Sequence, residues 1–232
     1  MTFLTITNFG YVDLAENLAL NFQQTFMSHH RLIVDCMDEL SLSRAATWKF
    51  KNIRVCDTVS GYRDFAEYGT TAFQEVVKHK FPILHSHLNH ENHDVWYLDG
   101  DIGIFEDPAK YIRDNVNVQM QADEPNQAGT NWCTGCFVVR NTAESRLLFS
   151  ELSKCKYASD TSNDQRLFNG FVRQNGMDIC GLDVERFQNG FRAINCNWWV
   201  ERRPAIVHVN YRRGKKRKID ALMRCGKWFK TK

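Results

Sequence analysis

Apolar residues recur at two spacings along the chain, and each spacing predicts one kind of element. Residues 3–7 form a short run that predicts a strand. After it, apolar residues recur at every fourth position, at Leu14, Leu18, Phe22 and Phe26, which predicts one face of a helix. Helical spacing also covers 71–88, with a kink expected at Pro82, and a further helix is expected at 143–152. An N-cap followed by a proline, Asp107-Pro108, predicts a helix at 109–114, and a capping box at Ser162 predicts one that ends at Gly176. Short apolar runs predict further strands at 31–35, 52–55, 94–98, 136–139 and 205–209.

This order of elements predicts an α/β fold. Strands separated by helices form a doubly wound, mostly parallel sheet with helices on both faces, as in Rossmann-like proteins. The prolines are dispersed, and neither an internal repeat nor a low-complexity linker interrupts the pattern. We therefore expect one domain over residues 1–232.

Composition agrees with one sizeable core, because 43% of the 232 residues are hydrophobic and 12% are aromatic. No run of eighteen apolar residues exists, and residues 1–22 lack the basic and then apolar order of a signal peptide. These absences predict a protein that is not exported and has no membrane span. The eight scattered cysteines fit free thiols in a reducing compartment.

The net charge of +3 hides an uneven distribution. Residues 202–232 hold twelve Lys/Arg and one acidic residue, a net +11, so the preceding residues carry −8. A basic end on an acidic body predicts an anionic partner, such as a nucleic acid, an acidic lipid or a phosphorylated small molecule. A solvated tail is the alternative.

Candidate chemistry is concentrated in WYLDGDIGIFEDP, residues 96–108. Asp99 and Asp101 follow an apolar strand, and in open α/β sheets ligands bind beyond the carboxyl ends of the strands. If the chain stays extended there, both carboxylates point to one side, and Gly100 leaves room for a ligand. Two adjacent carboxylates need positive charge between them, and oxygen ligands favour Mg²⁺ or Mn²⁺.

Four segments together resemble a known group of proteins. WYLDGDIGIFEDP resembles a metal-binding motif, CTGCFVVRNT the strand and loop after it, NDQRLFN an Asp-Gln helix, and HVNYRRGKKRK a closing segment with a histidine and lysines. In this order they are similar to the GT-A fold nucleotide-diphospho-sugar glycosyltransferases, including the glycogenin-like, plant and viral families. The resemblance spans residues 3–229. Because soluble transferases of this kind without a membrane anchor are atypical of the secretory pathway, the resemblance implies a cytoplasmic enzyme, from a bacterium or encoded by a virus and acting in its host's cytoplasm.

The resemblance implies a divalent metal ion, Mn²⁺ or Mg²⁺, and a donor that is a nucleotide-diphospho-sugar with uridine as the expected base. Asp101 would bind the metal, whereas Asp99 would bind the metal or the donor's ribose. His208, expected at the end of a strand in the same sheet, would be the third protein ligand of the metal. Lys215 and Lys218 would neutralise the departing diphosphate, which explains the basic segment without a nucleic acid.

The resemblance also implies contacts to the rest of the donor. Residues expected against the base and ribose are Thr7, Asn8 and Gly10. Those expected at the donor sugar, with catalytic roles, are Asp123, Asp164 and Gln165. Asp164 would orient sugar hydroxyls or stabilise a positive, oxocarbenium-like sugar. A carboxylate near a helix start can also be a cap, so capping and sugar contact both stay open for Asp164 and Gln165. The acceptor would be a hydroxyl of a glycan or glycoprotein.

Other functions remain as alternatives. Asp99 and Asp101 could hold ions on a phosphate chain in a phosphoryl transferase or nuclease, and RRGKKRK could bind nucleic acid. Cys133-Thr134-Gly135-Cys136 has the spacing of a redox pair or half a zinc site, but no second pair follows. The histidines at 85, 87, 90 and 93 have metal-like spacing, although a polar loop is the favoured interpretation.

Overall fold

A computed structural model describes residues 1–25, 29–57, 63–91, 93–123, 131–155, 163–177 and 179–230. The strands are β1 (Thr2–Thr7), β2 (Arg31–Cys36), β3 (Ile53–Asp57), β4 (Val95–Leu98), β5 (Ile102–Ile104), β6 (Val118–Ala122), β7 (Trp132–Val139), β8 (Cys180–Gly181), β9 (Phe187–Asn189) and β10 (Ile206–His208). The α-helices are α1 (Val12–Gln24), α2 (Glu39–Ala45), α3 (Thr71–Val77), α4 (Lys80–His90), α5 (Ala143–Lys154), α6 (Asp164–Gln174), α7 (Trp198–Glu201) and α8 (Lys215–Arg224). None of the helices in these ranges is long and apolar enough to cross a membrane.

A seven-stranded sheet forms the centre of the fold, in the order β3-β2-β1-β4-β7-β6-β8. Strands β3, β2, β1 and β4 are parallel, whereas β7 runs antiparallel to both β4 and β6. Strand order reverses beside β1, so the carboxyl ends of β1 and β4 face one crevice. The predicted doubly wound, mostly parallel sheet is confirmed.

Alternation along each strand divides the core into two layers. Phe3 contributes to one layer and Leu4 to the other, and Trp96 and Tyr97 divide in the same way on β4. The first layer includes the apolar face of α1, and the second includes α4, α5 and α6. Helices therefore cover both faces of the sheet, which explains why its central strands are apolar throughout.

A second sheet of three strands, in the order β5-β10-β9, lies beside the large one. The prediction that His208 ends a strand of the same sheet as Asp99 is therefore wrong. His208 ends β10, which pairs antiparallel with β5 and places His208 opposite Ile102. The chain crosses from the large sheet to the small one through residues 99–101, and sequence patterns do not show this change of sheet.

Two predicted helices differ from the structure. Residues 71–90 form two helices rather than one kinked helix, with the break at Lys78 and His79. Pro82 lies in the first turn of α4, where its missing N–H costs no helical hydrogen bond. The helix expected at 109–114 is a 3-10 turn at Pro108–Tyr111, with Asp107 as its N-cap.

The other predicted helices and strands lie where the sequence places them, and β7 extends further back than expected, to Trp132. The sequence analysis predicted no element for β5, β6, β8, β9, α2, α7 or α8. Phe26 and Ser162, which the prediction placed in the first helix and at the start of α6, lie outside the described residues.

The buried face of α1 yields a stability prediction. Leu18 is 0% exposed against the sheet, whereas Leu147 on α5 is 64% exposed. We expect Leu18→Ala to lower the free energy of unfolding by about 2–5 kcal/mol, because it removes buried methyl groups and leaves a cavity. Leu147→Ala, the matched control, should change it by less than about 0.5 kcal/mol. Equal effects in urea denaturation would contradict this packing.

Candidate active site

A cavity of about 380 Å³ opens at the carboxyl ends of β1 and β4. Its wall combines the end of β1, residues 65–77, the turn after β4, the start of β7, the start of α6 and the segment after β10. One side is apolar and aromatic, and the other carries carboxylates, lysines and a histidine. Residues that lie far apart in sequence therefore converge on a single crevice.

Asp99, Asp101 and His208 meet at the floor of this cavity. One ligand atom from each lies within 4.8 Å of the other two. His208 Nε2 is 3.2 Å from Asp101 Oδ1 and 3.7 Å from Asp99 Oδ2. Asp101 and His208 are buried, and Asp99 is about one-third exposed. The structure thus brings together the three residues predicted as metal ligands.

Backbone pairing holds these three side chains in place. Asp99 N–H donates to Gly135 O at 2.7 Å, which ties the end of β4 to β7. Val209 N–H donates to Asp101 O at 3.2 Å, which extends the β5–β10 pairing past His208. The imidazole therefore faces the carboxylates because of strand register.

Lys218 supplies positive charge to the same cluster, since its ammonium forms an ion pair with Asp101. Burial by itself would raise the pKa of Asp101, but the attraction of the Lys218 ammonium outweighs burial and holds this pKa far below its ordinary value. Asp101 is therefore a carboxylate at any physiological pH.

A second charged group surrounds Lys80, the first residue of α4. Its Nζ lies 2.5 Å from Asp164 Oδ2 and 3.3 Å from Asp99 Oδ1, donates to Thr134 O at 3.0 Å, and sits 4.7 Å from the centre of the Tyr97 ring. Burial would lower the pKa of Lys80, but Asp164 and Asp99 raise it well above its ordinary value. A fixed positive charge thus links two acidic residues across the floor.

Sequence reasoning missed Lys80, although the chain carries a signal for it. Lys80 lies three residues after Val77 and four before Leu84, at a position on the apolar face of the predicted helix. A charged residue on an apolar face is buried only with partners.

The start of α6 shows which side chain caps the helix. Asn163 is the N-cap, because its side chain accepts the Arg166 N–H at 2.8 Å. Asp164 instead accepts the Thr134 hydroxyl at 2.8 Å and pairs with Lys80. Asp164 is therefore not the N-cap; it lies in the first turn of α6 and is buried at the cavity wall, and its contact with a sugar stays a prediction.

Asp123 forms a further polar wall. Its two carboxylate oxygens accept Gln165 Nε2–H at 2.8 Å and Asn210 Nδ2–H at 2.7 Å. The predicted sugar-side residues Asp123, Asp164 and Gln165 thus all line the cavity, and Asn210 joins them.

The end of β1 borders the apolar side of the cavity. Thr7 and Asn8 line it, and the Asn8 side chain donates to Asp64 O at 3.0 Å. Gly10 does not line the cavity; it lets the chain at Phe65 approach so closely that a Cβ would lie 2.1 Å from Phe65 N. Tyr11, which the sequence prediction omitted, faces the Phe65 ring with 4.6 Å between ring centres.

The two lysines predicted at the diphosphate lie in different places. Lys218 lines the cavity, whereas Lys215 Nζ pairs with Asp13 at 2.6 Å and is not part of the cavity wall. A donor contact by Lys215 therefore remains a prediction. Arg212 and Arg213, from the same basic run, also line the cavity.

The remaining candidate motifs have structural explanations. Cys133 and Cys136 both lie in β7 as free thiols, and burial raises the pKa of Cys133 well above its ordinary value. The interpretation of the histidine cluster as a polar loop is wrong for His85, His87 and His90, because they lie in α4, where His87 Nε2 is 2.9 Å from Asp35 Oδ2. Among the described residues, the group with three ligands close enough for a metal ion is Asp99, Asp101 and His208.

Solved structures share this architecture. A galactosyltransferase LgtC in complex with donor and acceptor sugar analogs is 14% identical, with a TM-score of 0.58, and the match covers 100% of this chain and 98% of that one. Mouse xyloside xylosyltransferase 1 is 12% identical, with a TM-score of 0.57 and coverage of 90% and 98%. The glycosyltransferase GlyE of Streptococcus pneumoniae is 13% identical, with a TM-score of 0.59 and coverage of 90% and 54%. These similarities confirm the predicted GT-A fold.

Sequence comparison gives the family. A UDP-galactose:fucoside alpha-3-galactosyltransferase of Dictyostelium discoideum is 20% identical over 96% of this chain, and the chain spans 42% of that relative's length. The sequence pattern of the nucleotide-diphospho-sugar transferases matches residues 27–222, a range that includes all four motifs. Because the match extends over most of the chain, this protein belongs to the nucleotide-diphospho-sugar transferase family.

Proposed function

We propose that this protein is a metal-dependent glycosyltransferase that moves a sugar from a nucleotide diphosphate, a uridine one, to an acceptor hydroxyl on a glycan or glycoprotein. The observation that carries the proposal is the pair of charged clusters at the cavity floor. Asp99, Asp101 and His208 face one another within 4.8 Å, and Lys80 joins Asp99 to Asp164 beside them. Family membership favours this function over a nuclease or a nucleic-acid-binding module.

The three-residue cluster fits a divalent cation. Two carboxylates and an imidazole nitrogen converge, and Lys218 is the cation that approaches Asp101 there. Carboxylate oxygens with one imidazole suit Mn²⁺ or Mg²⁺. Such an ion, when bound, acts as a Lewis acid that accepts the negative charge growing on a departing diphosphate.

The chain's own cations would act on the same leaving group. Lys218 lies at the cavity floor and can turn its ammonium toward a phosphate oxygen once another cation neutralises Asp101. Arg213, an exposed residue that also lines the cavity, adds a second positive charge. Positive charges that reach the diphosphate on binding stabilise the anion that develops as it departs.

The acidic wall would hold the donor sugar. Asp164 is paired with the buried ammonium of Lys80, and its carboxylate can accept hydrogen bonds from sugar hydroxyls and face positive charge at the anomeric carbon. Asp123 is oriented by Gln165 and Asn210, and the four side chains together present both acceptors and donors. Lys80 fixes Asp164 through direct contact.

The apolar side of the cavity suits the nucleoside. Thr7, Asn8 and the Tyr11 ring lie where the first strand ends, and Phe65 extends this wall. The relative from Dictyostelium discoideum is named for UDP-galactose and a fucoside, which supports a uridine donor and a sugar acceptor. The proposal includes one GT-A domain, with residues 1–101 as the nucleotide-binding half and 102–232 as the metal-closing and acceptor half.

A titration with uridine diphosphate tests the proposed function. We expect the diphosphate to bind in the presence of Mn²⁺, and Asp101→Asn to weaken binding at least tenfold, about 1.4 kcal/mol, because one metal ligand loses its charge. Asp220→Asn, on the exposed side of α8, is the matched control and should bind normally. Isothermal titration calorimetry measures both.

A different pattern would refute this function. If the wild type bound an oligonucleotide with a steep salt dependence but no uridine diphosphate, the nucleic-acid-binding alternative would replace the transferase. If uridine diphosphate does bind, a panel of nucleotide sugars tested for metal-dependent hydrolysis would identify the sugar that the protein transfers.

A substitution at Gly135 tests whether the Asp99, Asp101 and His208 cluster needs the space that the missing side chain leaves. A Cβ at this position would lie 2.3 Å from His208 Cε1 and 2.4 Å from Asp99 Oδ2, so Gly135→Ala must displace at least one proposed ligand. We expect Mn²⁺ affinity to fall more than about tenfold, by analogy with the loss of ligand positioning in other metal sites.

Gly170→Ala serves as the control for the glycine substitution. Gly170 lies within α6, and a Cβ at this position would meet no atom within 4 Å. Alanine should therefore raise stability by about 0.5–1 kcal/mol and leave Mn²⁺ binding unchanged. If Gly135→Ala bound Mn²⁺ as tightly as Gly170→Ala, the cation would lie elsewhere.

A further inference from the structure

Behind His208, on the side away from the cavity, lies a glutamine that the proposed chemistry does not use. Gln121 is on β6, is 0% exposed and is absent from the cavity wall. Its Oε1 is 3.0 Å from His208 Nδ1, and its Nε2–H donates to Phe187 O at 3.3 Å. The glutamine therefore bridges the imidazole and the backbone of β9.

The Phe187 carbonyl sets the orientation of the Gln121 amide. A carbonyl oxygen only accepts, so the amide group next to it must be the NH₂ group. The opposite orientation would place two oxygens 3.3 Å apart without a proton between them. Gln121 Oε1 therefore faces His208, and a backbone atom fixes this arrangement.

An oxygen acceptor at 3.0 Å requires a proton on His208 Nδ1. The nearest competitor is Cys133 Sγ, 3.5 Å from the same nitrogen. That sulfur already receives the Gly135 N–H at 3.5 Å, and sulfur is the weaker partner. With Nδ1 protonated, Nε2 is the nitrogen that can offer a lone pair, and it is the one that faces Asp101 and Asp99.

We propose that Gln121 is a positioning residue that keeps the proton on His208 Nδ1 and so reserves Nε2 for a divalent cation. This inference rests on the proposed metal-dependent function. Without the glutamine, the imidazole can place its proton on Nε2, where Asp101 accepts it at 3.2 Å and where a cation would otherwise bind. Partners behind a ligating histidine typically change metal affinity by about 10- to 100-fold.

The chain provides a matched control on the same strand. Gln119 is 1% exposed, and its amide makes two hydrogen bonds to the backbone of Arg113, both at 2.9 Å. It lies away from the cavity wall. Gln119→Met therefore removes a buried amide of the same kind from β6 without touching His208.

The proton position is measured directly by long-range ¹H–¹⁵N NMR on metal-free protein with ¹⁵N-labelled histidine. His208 is assigned by the loss of its signals in His208→Asn. We expect a protonated Nδ1 in the wild type and in Gln119→Met, and a proton moved to Nε2 in Gln121→Met. Gln121→Glu loses the hydrogen bond to Phe187 O, but either oxygen of a carboxylate accepts, so this variant should restore the protonated Nδ1. An unprotonated Nδ1 in the wild type overturns the proposal without any variant.

The second readout is Mn²⁺ affinity, measured by calorimetry. Thermal unfolding of each variant is checked first to show that it is folded. We expect Gln121→Met to bind Mn²⁺ about 10- to 100-fold more weakly, Gln121→Glu to recover most of the affinity, and Gln119→Met to match the wild type. Equal Mn²⁺ affinity in Gln121→Met and wild type would overturn the positioning role alone. A wild type that binds no Mn²⁺ would overturn the proposed metal-dependent function and the positioning role with it.

Discussion

Acidic side chains crowded at the end of a buried strand require positive charge, and the cavity is organised around that requirement. Asp99, Asp101 and Asp164 lie at one floor, largely out of water. Lys80 neutralises the pair Asp99 and Asp164, and Lys218 approaches Asp101. Buried charges are tolerated only when they are paired, so the lysines are part of the fold as well as of the site.

This constraint also gives the site an uneven charge distribution that suits its proposed chemistry. One acidic pair is permanently occupied by Lys80, which holds the proposed sugar-facing Asp164 in position. The other group, Asp99 with Asp101 and His208, has room for a second cation because residue 135 has no side chain. The exchangeable metal ion would thus neutralise the donor's diphosphate, whereas the fixed Lys80 would hold the carboxylate that orients the donor's sugar.

Much of the fold and the site follows from local sequence pattern. Apolar runs separated by helical spacing predicted the parallel sheet, and Asp99 and Asp101 were recognisable because carboxylates follow a strand buried on both faces. His208 was recognised from its resemblance to a family motif, although the sheet that carries it was misassigned. Strands β5 and β10 pair although about a hundred residues separate them in sequence, and the alternation of apolar residues within a strand does not show which strand it pairs with.

The sequence did not predict which partner each polar side chain contacts, because that depends on the direction in which the side chain points in the folded protein. Lys215 and Lys218 are separated by one helical turn in the same basic run, yet Asp13 captures the first and Asp101 the second. Gln121 lies in β6, a strand that the sequence analysis did not predict, and its contacts exist only because β9 and β10 place Phe187 and His208 beside its amide. Such assignments depend on tertiary packing, which composition and spacing do not determine.

The central claim is that a divalent cation binds at the cavity floor through the His208 imidazole. Pulsed electron paramagnetic resonance of the protein with bound Mn²⁺ tests it most directly, because a nitrogen ligand modulates the electron spin echo. The account predicts modulation from one imidazole nitrogen, which changes on ¹⁵N-histidine labelling and disappears in His208→Asn. An echo without nitrogen modulation, or one that His208→Asn leaves unchanged, would contradict it.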